Sequence, residues 1–116
     1  MLQQNIDLKN QLINSYNDQN LVIDGDEILF PCVIFEANAR TDLLPSKFED
    51  FNRDHLALLI ELGPEIILLG TGSKQKFLET PVTHSKVAIE IMNTGSACRV
   101  FNVLVSESRS VLAALY

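Results

Sequence analysis

The sequence predicts an α/β protein of three layers, with a central mixed sheet, a C-terminal strand–loop–strand–helix–strand unit and an N-terminal β-hairpin. Three observations predict this fold class. The branched apolar run Ile66–Leu69 indicates a strand buried on both faces, the stretch Gly95–Glu107 is amphipathic at helical spacing, and a glycine-centred turn follows the apolar triplet Leu21–Ile23. We expect residues 1–116 to form a single α/β domain, because this length suits one hydrophobic core.

The N-terminal part is typical of strands. The turn Asp24–Asp26 separates the apolar triplets Leu21–Ile23 and Ile28–Phe30, which predicts a hairpin. Pro31 interrupts the second strand, so it should lie at an edge or a bulge, and Val33–Phe35 can continue that strand. We expect the hairpin to extend or to cover the central sheet in antiparallel orientation.

The middle of the chain predicts a loop and then a helix. Residues 37–51 are polar and include a proline, which favours a loop. Asn52 can cap a helix over Arg53–Leu62, and the pair Gly63–Pro64 should end it. Apolar residues fall on one helical face, which comprises Leu56, Leu58, Leu59, Ile60 and Leu62.

The C-terminal half predicts the strand–loop–strand–helix–strand unit. The strand at Ile66–Leu69 ends at Gly70-Thr71-Gly72, and Val87–Met92 is a second apolar strand. Between them we expect a helical turn at Ser73–Leu78, broken by Pro81.

The end of the chain predicts a capped helix and a last strand. Thr94 can cap the helix Gly95–Glu107, and Val111–Leu115 follows as a strand. Strands joined by such crossovers should be parallel neighbours. The helix should bury the stripe Ala97, Cys98, Phe101, Leu104 and Val105 and expose the stripe Ser96, Arg99, Asn102 and Ser106.

Composition excludes several classes of protein. Charged residues make up 21% and hydrophobic residues 47%, which is wrong for a disordered chain. The net charge of −6, without a Lys/Arg cluster, argues against nucleic acid as a partner. Apolar runs of about five residues fall far short of the roughly 18 that span a bilayer, so we expect no membrane insertion.

The compartment follows from cysteine usage and from the first residues. Two cysteines are too few for a disulfide scaffold, which predicts reduced thiols and a cytoplasmic location. The first twenty residues are rich in Gln and Asn and show neither a secretory signal nor an Arg-rich transit peptide.

The candidate site lies where two strands end. Ligands of open α/β sheets bind beyond the carboxyl ends of the strands, and a helix N-terminus offers free N–H donors. This predicts a small anion or carboxylate site formed by Gly70, Thr71, Gly72, Thr94, Gly95 and Arg99. The competing interpretation is structural and carries more weight: the glycines make turns, Thr94 caps its helix and Arg99 pairs with an internal carboxylate.

Nucleotide binding is a weaker alternative for the same loop. Gly70 and Gly72 form a G-x-G fragment, but Gln75 stands where the third glycine would be. Glu90 lies near the position of a ribose-binding acid, yet the chain is too short for the full dinucleotide fold and has no Walker lysine motif.

Other reactive residues do not combine into a catalytic or metal set. Cys98 lies near a helix N-terminus, but its apolar stripe predicts a packed core thiol. His55 and His84 lack metal-ligand spacing, and the His84-Ser85 pair is not a catalytic triad. The acids Asp24, Asp26 and Glu27 are expected to be solvated turn residues, and Arg109 is too far along the helix to join the site. We expect no catalytic residue, no metal and no cofactor.

A set of short motifs resembles a small α/β family of unknown function, domain-of-unknown-function family 498. The motifs are Leu68-Leu69-Gly70-Thr71-Gly72, Ile89-Glu90-Ile91-Met92-Asn93-Thr94, Ala97-Cys98-Arg99-Val100-Phe101-Asn102-Val103-Leu104, Glu107 and Arg109-Ser110-Val111. The family includes relatives of the mitochondrial NADH dehydrogenase (complex I) assembly factor 3. The resemblance implies a three-layer fold and no catalytic residues.

This chain departs from the family pattern in three places. Asn93 replaces the usual Asp, and Val87-Ala88 stands near the place where the family has a glycine on either side of an apolar residue. The segment between Phe77 and Glu90 is about one helical turn short.

These observations predict a non-catalytic binding or assembly module, linked by the resemblance to complex I biogenesis, and we do not expect an enzyme. The alternative is a small anion- or metabolite-binding protein or enzyme that uses the two Gly-Thr loops. Self-association through an exposed edge of the N-terminal hairpin is a third possibility.

Overall fold

The computed structural model describes residues 5–7, 12–77, 84 and 86–116. Its strands in chain order are β1 (Asn5–Asp7), β2 (Ser15–Tyr16), β3 (Asn20–Ile23), β4 (Asp26–Leu29), β5 (Cys32–Phe35), β6 (Asn38–Arg40), β7 (Ile66–Gly70), β8 (Ala88–Met92) and β9 (Val111–Leu115). A 3-10 helix spans Phe48–Asp50, and two α-helices follow, α1 (Arg53–Glu61) and α2 (Thr94–Ser106).

The central sheet is mixed, as predicted. Its order is β1-β6-β5-β9-β7-β8, with β7 parallel to both β8 and β9 and with antiparallel pairing from β9 through β5 and β6 to β1. The register places Gly70 opposite Met92 on one side and Leu115 on the other. The predicted parallel neighbours therefore end at the same edge of the sheet.

The central sheet separates two apolar cores, which makes three layers. One core contains Phe101 of α2 and Leu68 of β7, and the other contains Leu59 of α1 and Leu69 of β7. Successive residues of β7 thus point into opposite cores, and all five are buried, which explains the run without polar alternation. The fold class and the C-terminal unit are confirmed.

The N-terminal hairpin covers one face of the fold and does not extend the central sheet. Strands β3 and β4 pair antiparallel, and together with β2 they form a separate three-stranded sheet. Leu21, Ile23 and Ile28 are almost fully buried in the same core as Phe101. Their neighbours along β3 are partly buried and those along β4 are exposed, as expected for a sheet with one covered face.

Two predictions for the segment after the hairpin are wrong. Strand β4 ends at Leu29, and the cis peptide Phe30–Pro31 precedes β5, which belongs to the central sheet and so does not continue the hairpin. The predicted loop at 37–51 contains β6 and the 3-10 helix. Both elements are short and bury single residues, Ala39 and Phe48, so no periodic pattern marks them.

Helix α1 begins at the predicted cap. The Asn52 side chain accepts hydrogen bonds from the N–H groups of Asp54 and His55, and His55 Nδ1 accepts one from the Asn52 N–H. His55 also stacks on Phe51, with ring centroids 5.7 Å apart. Leu62 caps the C-terminus rather than continuing the helix. The buried apolar face of α1 is narrower than predicted, because Leu58 and Leu62 are half exposed.

Helix α2 begins one residue earlier than predicted. Asn93, not Thr94, is the N-cap, and its side-chain oxygen accepts from the Ser96 N–H at 2.8 Å. Ala97, Cys98 and Phe101 are buried as expected. Leu104 and Val105 are only partly buried and pack at the margin of the core.

The connection between β7 and β8 is irregular where it is described. Residues 73–77 form no helical turn, so that part of the prediction for 73–78 is wrong. Leu78 and Pro81 lie outside the described residues. Neither helix in the described part of the chain is long and apolar enough to cross a bilayer.

Candidate functional site

The six candidate residues lie together at the carboxyl edge of β7 and β8, beside the first turn of α2. The Thr71 N–H donates to Met92 O at 2.9 Å and the Tyr116 N–H donates to Gly70 O at 3.0 Å. These bonds extend the ladders of the parallel strands by one residue, so the loop is held firmly where it leaves the sheet.

Thr94 joins the two loops through its backbone and its side chain. Its N–H donates to Gly72 O at 2.8 Å, and its hydroxyl oxygen accepts from the Gly72 N–H at 2.9 Å. The side chain is buried, with 5% of the residue exposed. Thr94 therefore braces the loop after β7 rather than capping its own helix.

Thr71 is equally committed to the protein. Its hydroxyl donates to Lys74 O at 2.7 Å and accepts from the Lys76 N–H at 3.1 Å. Both threonine hydroxyls thus have partners inside the loop, which is the condition for burying them at low cost.

Gly70, at the end of β7, and Gly95, in the first turn of α2, both pack closely against neighbouring side chains. A Cβ on Gly70 would lie 2.9 Å from Leu115 Cδ2 and 2.9 Å from Thr94 Oγ1. A Cβ on Gly95 would lie 2.9 Å from the hydroxyl oxygen of Tyr16. Gly72 differs, because its φ of +100° lies in the region that favours glycine and its Cβ position is open.

Arg99 reaches across the mouth of the loops to the small sheet. Its Nη1 donates to the Tyr16 hydroxyl at 2.6 Å and its Nη2 donates to Ser96 Oγ at 3.3 Å. The predicted partner was an internal carboxylate, and the observed partners are two hydroxyls. Because the guanidinium is exposed and carries five donors, it can still bind an anion from solution.

The helix N-terminus itself has few free donors. The N–H groups of Thr94, Ser96 and Ala97 bond to Gly72 O, Asn93 Oδ1 and Asn93 O respectively. An anion at this mouth would therefore depend on Arg99 more than on the first turn of α2.

A cavity of about 280 Å³ opens beside these residues. It is lined by Tyr16, Asn17, Asp18, Phe30, Gly72, Ser73, Asn93, Thr94, Gly95, Arg99 and Tyr116. One wall of the cavity comes from the N-terminal sheet and its turns. It consists of residues 16–18, at the end of β2 and just after it, and Phe30, directly after β4. Sequence reasoning did not predict these residues. No spacing rule connects that sheet to α2, so no local signal could have found this wall.

The two thiols and the Tyr116 phenol near the site have raised pKa values, which keeps them protonated at neutral pH. Burial raises the pKa of the Cys98 thiol to about 11 and also raises the pKa of Cys32 strongly. Burial, with Asp50 and Glu49 nearby, raises the pKa of Tyr116, whose hydroxyl donates to Pro45 O at 2.8 Å. The expected core role of Cys98 agrees with its 2% exposure.

The remaining candidates are scattered. His55 is part of the α1 capping box, and the Nδ1 of His84 accepts from the Lys86 N–H at 3.1 Å. Arg109 lies beyond the far end of α2, 3.9 Å from a carboxylate oxygen of Glu65. Ser85 lies outside the described residues. Within the described part of the chain, no three His, Cys, Asp or Glu side chains are grouped to hold a metal.

The layers, the mixed sheet and the braced loop pair define a small three-layer α/β protein whose parallel strands end beside the first turn of a long helix. The chain belongs to the family described as "Protein of unknown function (DUF498/DUF598)", whose profile matches residues 13–116. The resemblance drawn from the motifs is thereby confirmed.

Similar proteins carry different names. The chain is 34% identical over 109 residues to the Xenopus tropicalis protein named "NADH dehydrogenase [ubiquinone] 1 alpha subcomplex assembly factor 3", covering 89% of this chain and 59% of that protein. It is 33% identical over 67 residues to the "13 kDa major membrane protein" of Francisella tularensis, covering 54% of each chain. A crystal structure of a Bordetella parapertussis protein matches with a TM-score of 0.78 and 25% identity, over 90% of this chain and 92% of that one. This chain spans about 59% of the assembly factor's length.

Proposed function

We propose that this chain is a non-catalytic binding and assembly module that takes part in the biogenesis of respiratory complex I. The observation that carries the proposal is the identity of 34% over 109 residues with the protein named assembly factor 3. The relative from Homo sapiens bears the same name and is 31% identical over 109 residues.

The geometry of the loop cluster supports a scaffold role. The Thr94 hydroxyl braces the loop after β7 against α2, and the Thr71 hydroxyl is bonded within that loop. No buried side-chain nitrogen or oxygen of the described residues lacks a hydrogen-bond partner. Because these two hydroxyls already have internal partners, they are not free to act on a substrate, which supports a binding or assembly role over catalysis.

The partner and the compartment are part of the same proposal. We expect a protein partner and a cytoplasmic location. Self-association is the competing interaction, because β4 is an edge strand of the three-stranded sheet. Light scattering of the purified chain separates the two: a monomer agrees with a different protein as partner, and a stable dimer favours self-association.

A deletion strain tests the proposal. Loss of the gene should lower the amount of assembled complex I on native gels and its NADH:quinone activity, and the wild-type gene should restore both. Succinate oxidation serves as the control, because it bypasses complex I. Unchanged complex I, together with no partner in cross-linking and pull-down experiments, would contradict the proposal.

A second candidate function is binding of a small anion or metabolite, with or without catalysis, by Gly70, Thr71, Gly72, Thr94, Gly95 and Arg99. The exposed guanidinium of Arg99 at the cavity of about 280 Å³ favours it. It is less favoured than assembly, because the hydroxyls and most first-turn donors already have internal partners.

A thermal-shift screen of anions and metabolites tests this second function. A ligand at one hundred times its Kd should stabilise the fold by about 2.7 kcal/mol. Arg99→Ala should abolish the shift, whereas Arg109→Ala, at the opposite end of α2, should preserve it. A shift that survives Arg99→Ala would place the ligand elsewhere.

A further inference from the structure

A second cavity adjoins the one beside Arg99. This neighbour has a volume of about 420 Å³ and shares Gly72, Ser73 and Tyr116 with the first. The remaining lining of the second cavity is Ser46, Lys47, Phe48, Glu49, Thr71, Lys74 and Lys76. Because the two cavities adjoin at the shared residues, we treat them together as one surface, which we call the basic groove and define by its four cations, Lys47, Lys74, Lys76 and Arg99.

Positive charge is concentrated in the basic groove against the overall charge of the chain. Four of the nine Lys and Arg residues line it, whereas only Asp18 and Glu49 of the fifteen acids do. The lining side chains thus carry four positive and two negative charges, a net of +2, in a chain of net charge −6. Asp50, close to Tyr116 but outside the lining, lowers this local excess without reversing its sign. A local field of opposite sign to the rest of the surface attracts and orients an anionic partner.

The cations of the groove are available to a partner. Lys76 pairs with Glu49 at 2.9 Å, but both side chains are largely exposed, so this ion pair is weak. Within the described residues, Lys47 and Lys74 make no ion pair, and both are exposed. Arg99 is held by Tyr16, which points the guanidinium along the groove wall with donors to spare.

The walls of the groove favour a peptide over a free ion or a long polyanion. Tyr16, 41% exposed, and Tyr116, packed edge-on against Phe48, give the groove apolar surface that an inorganic ion would leave uncovered. The rest of the chain, outside the groove, carries a net charge of −8 and would repel the parts of a nucleic acid that extend past it.

We propose that the basic groove binds a short acidic segment of a partner protein, with carboxylates on Lys47, Lys74 and Arg99 and an apolar side chain on Tyr16. This inference rests on the proposed function, because it states the chemistry of the partner that an assembly module would hold. It requires no rearrangement of the loops, since the groove is already open.

Binding of a labelled peptide tests the inference directly. The probe is a short fluorescein-labelled peptide rich in Asp and Glu with one Phe, followed by anisotropy at low and at moderate salt. The wild-type chain should bind it, with affinity that falls as salt rises. A neutral peptide of the same length, with Asn and Gln in place of Asp and Glu, should bind more weakly, because it lacks the carboxylates.

Paired variants locate the binding surface. Lys47→Gln with Lys74→Gln should weaken binding about tenfold, as expected for the loss of two exposed charge contacts. Arg53→Gln with Lys86→Gln removes the same charge from exposed positions outside the groove and should leave the affinity within about twofold. Equal weakening by both pairs would overturn the inference, as would wild-type chain that does not bind the acidic peptide.

A third probe separates a peptide site from general attraction of anions. A single-stranded oligonucleotide of the same net charge should bind more weakly than the acidic peptide, and binding of equal strength would overturn the inference. The deletion strain keeps the two proposals distinct. If the deletion strain has impaired complex I but the purified chain does not bind the peptide, the groove proposal is wrong and the assembly proposal stands. If complex I is normal but the peptide binds through the groove, the assembly proposal is wrong and the groove proposal stands.

Discussion

Thr94 and Gly72 are joined by two hydrogen bonds that tie the first turn of α2 to the loop after β7: Thr94 N–H to Gly72 O at 2.8 Å, and Gly72 N–H to Thr94 Oγ1 at 2.9 Å. Because one bond uses a side chain, it can be removed by substitution while the backbone bond remains. The junction between the sheet and the helix can therefore be probed one interaction at a time.

Thr94→Val should lower the free energy of unfolding by about 1 to 2 kcal/mol, because the nearly isosteric side chain leaves the Gly72 N–H without its acceptor. Thr94→Ser keeps the oxygen and loses one methyl group, so it should cost about 0.8 kcal/mol or less. Denaturant titration measures both. Equal losses in the two variants would show that the hydroxyl does not brace the loop.

Gly70→Ala should destabilise the fold by about 1 to 3 kcal/mol, because the new methyl group would lie 3.1 Å from the Thr94 Cα as well as against Leu115. Gly95→Ala is the matched substitution. Its methyl group meets the half-exposed Tyr16 side chain, which can move away at the cost of its exposed hydrogen bond from Arg99, and alanine favours the helix by about 1 kcal/mol. We expect Gly95→Ala to stay within about 1 kcal/mol of wild type, and a reversed ranking in thermal or denaturant unfolding would contradict this packing.

Asn102 fastens the N-terminal segment to α2. Its side chain accepts from the Ile13 N–H at 2.8 Å and donates to Ile13 O at 2.9 Å. Asn102→Leu would leave both groups unpaired at a residue that is 6% exposed, and should cost about 2 kcal/mol in unfolding experiments. Val103→Ala, at the exposed neighbouring position, should change stability by less than about 0.5 kcal/mol.

Glu36 occupies a strained position in the turn between β5 and β6. Its φ is +49°, and the next residue is also left-handed. Glu36→Asn should stabilise the fold by about 0.5 to 1 kcal/mol, because asparagine tolerates this region better. Glu27→Asn, on the exposed face of β4, should give no gain in the same denaturant titration. A loss on Glu36→Asn would mean that the glutamate side chain has a role that outweighs its strain.

The two cysteines should resist thiol reagents in the folded chain. A pKa of about 11 for Cys98 leaves about one thiolate per thousand at pH 8, and Cys32 is buried more completely. DTNB should react quickly only after guanidinium is added, and rapid labelling of the native chain would be evidence against this packing. Because the folded thiols hold protons that the unfolded chain releases, stability should fall as pH rises above about 9.

The elements with strong local signals were predictable. The run Ile66–Leu69 and the amphipathic stretch of α2 gave the correct element types, and Asn52 capped α1 as expected. The misses have a common physical cause. Strand β6 and the 3-10 helix bury only Ala39 and Phe48, so their stability comes from neighbours distant in sequence rather than from their own pattern.

The candidate site also combines features that the sequence predicted with contacts that it did not. Its six residues were brought together as the parallel pairing of β7 and β8 required, but their partners were not predictable. Tyr16 covers Gly95 and holds Arg99, and Asn93 takes the capping role that Thr94 was expected to have. Capping preference cannot choose between two adjacent competent residues when a tertiary contact claims one of them.

The amino-acid sequence by itself determined the hairpin turn after β3, the strands β7, β8 and β9 and the two α-helices, because hydrophobic period, capping and glycine conformation act over a few residues. Only the tertiary structure decided that the hairpin packs in the same core as α2. It also decided that the hydroxyls of Thr71 and Thr94 form hydrogen bonds to the loop after β7, and that four cations line the basic groove. Those outcomes depend on which distant surfaces bury each other, a choice made by the packing of the whole chain.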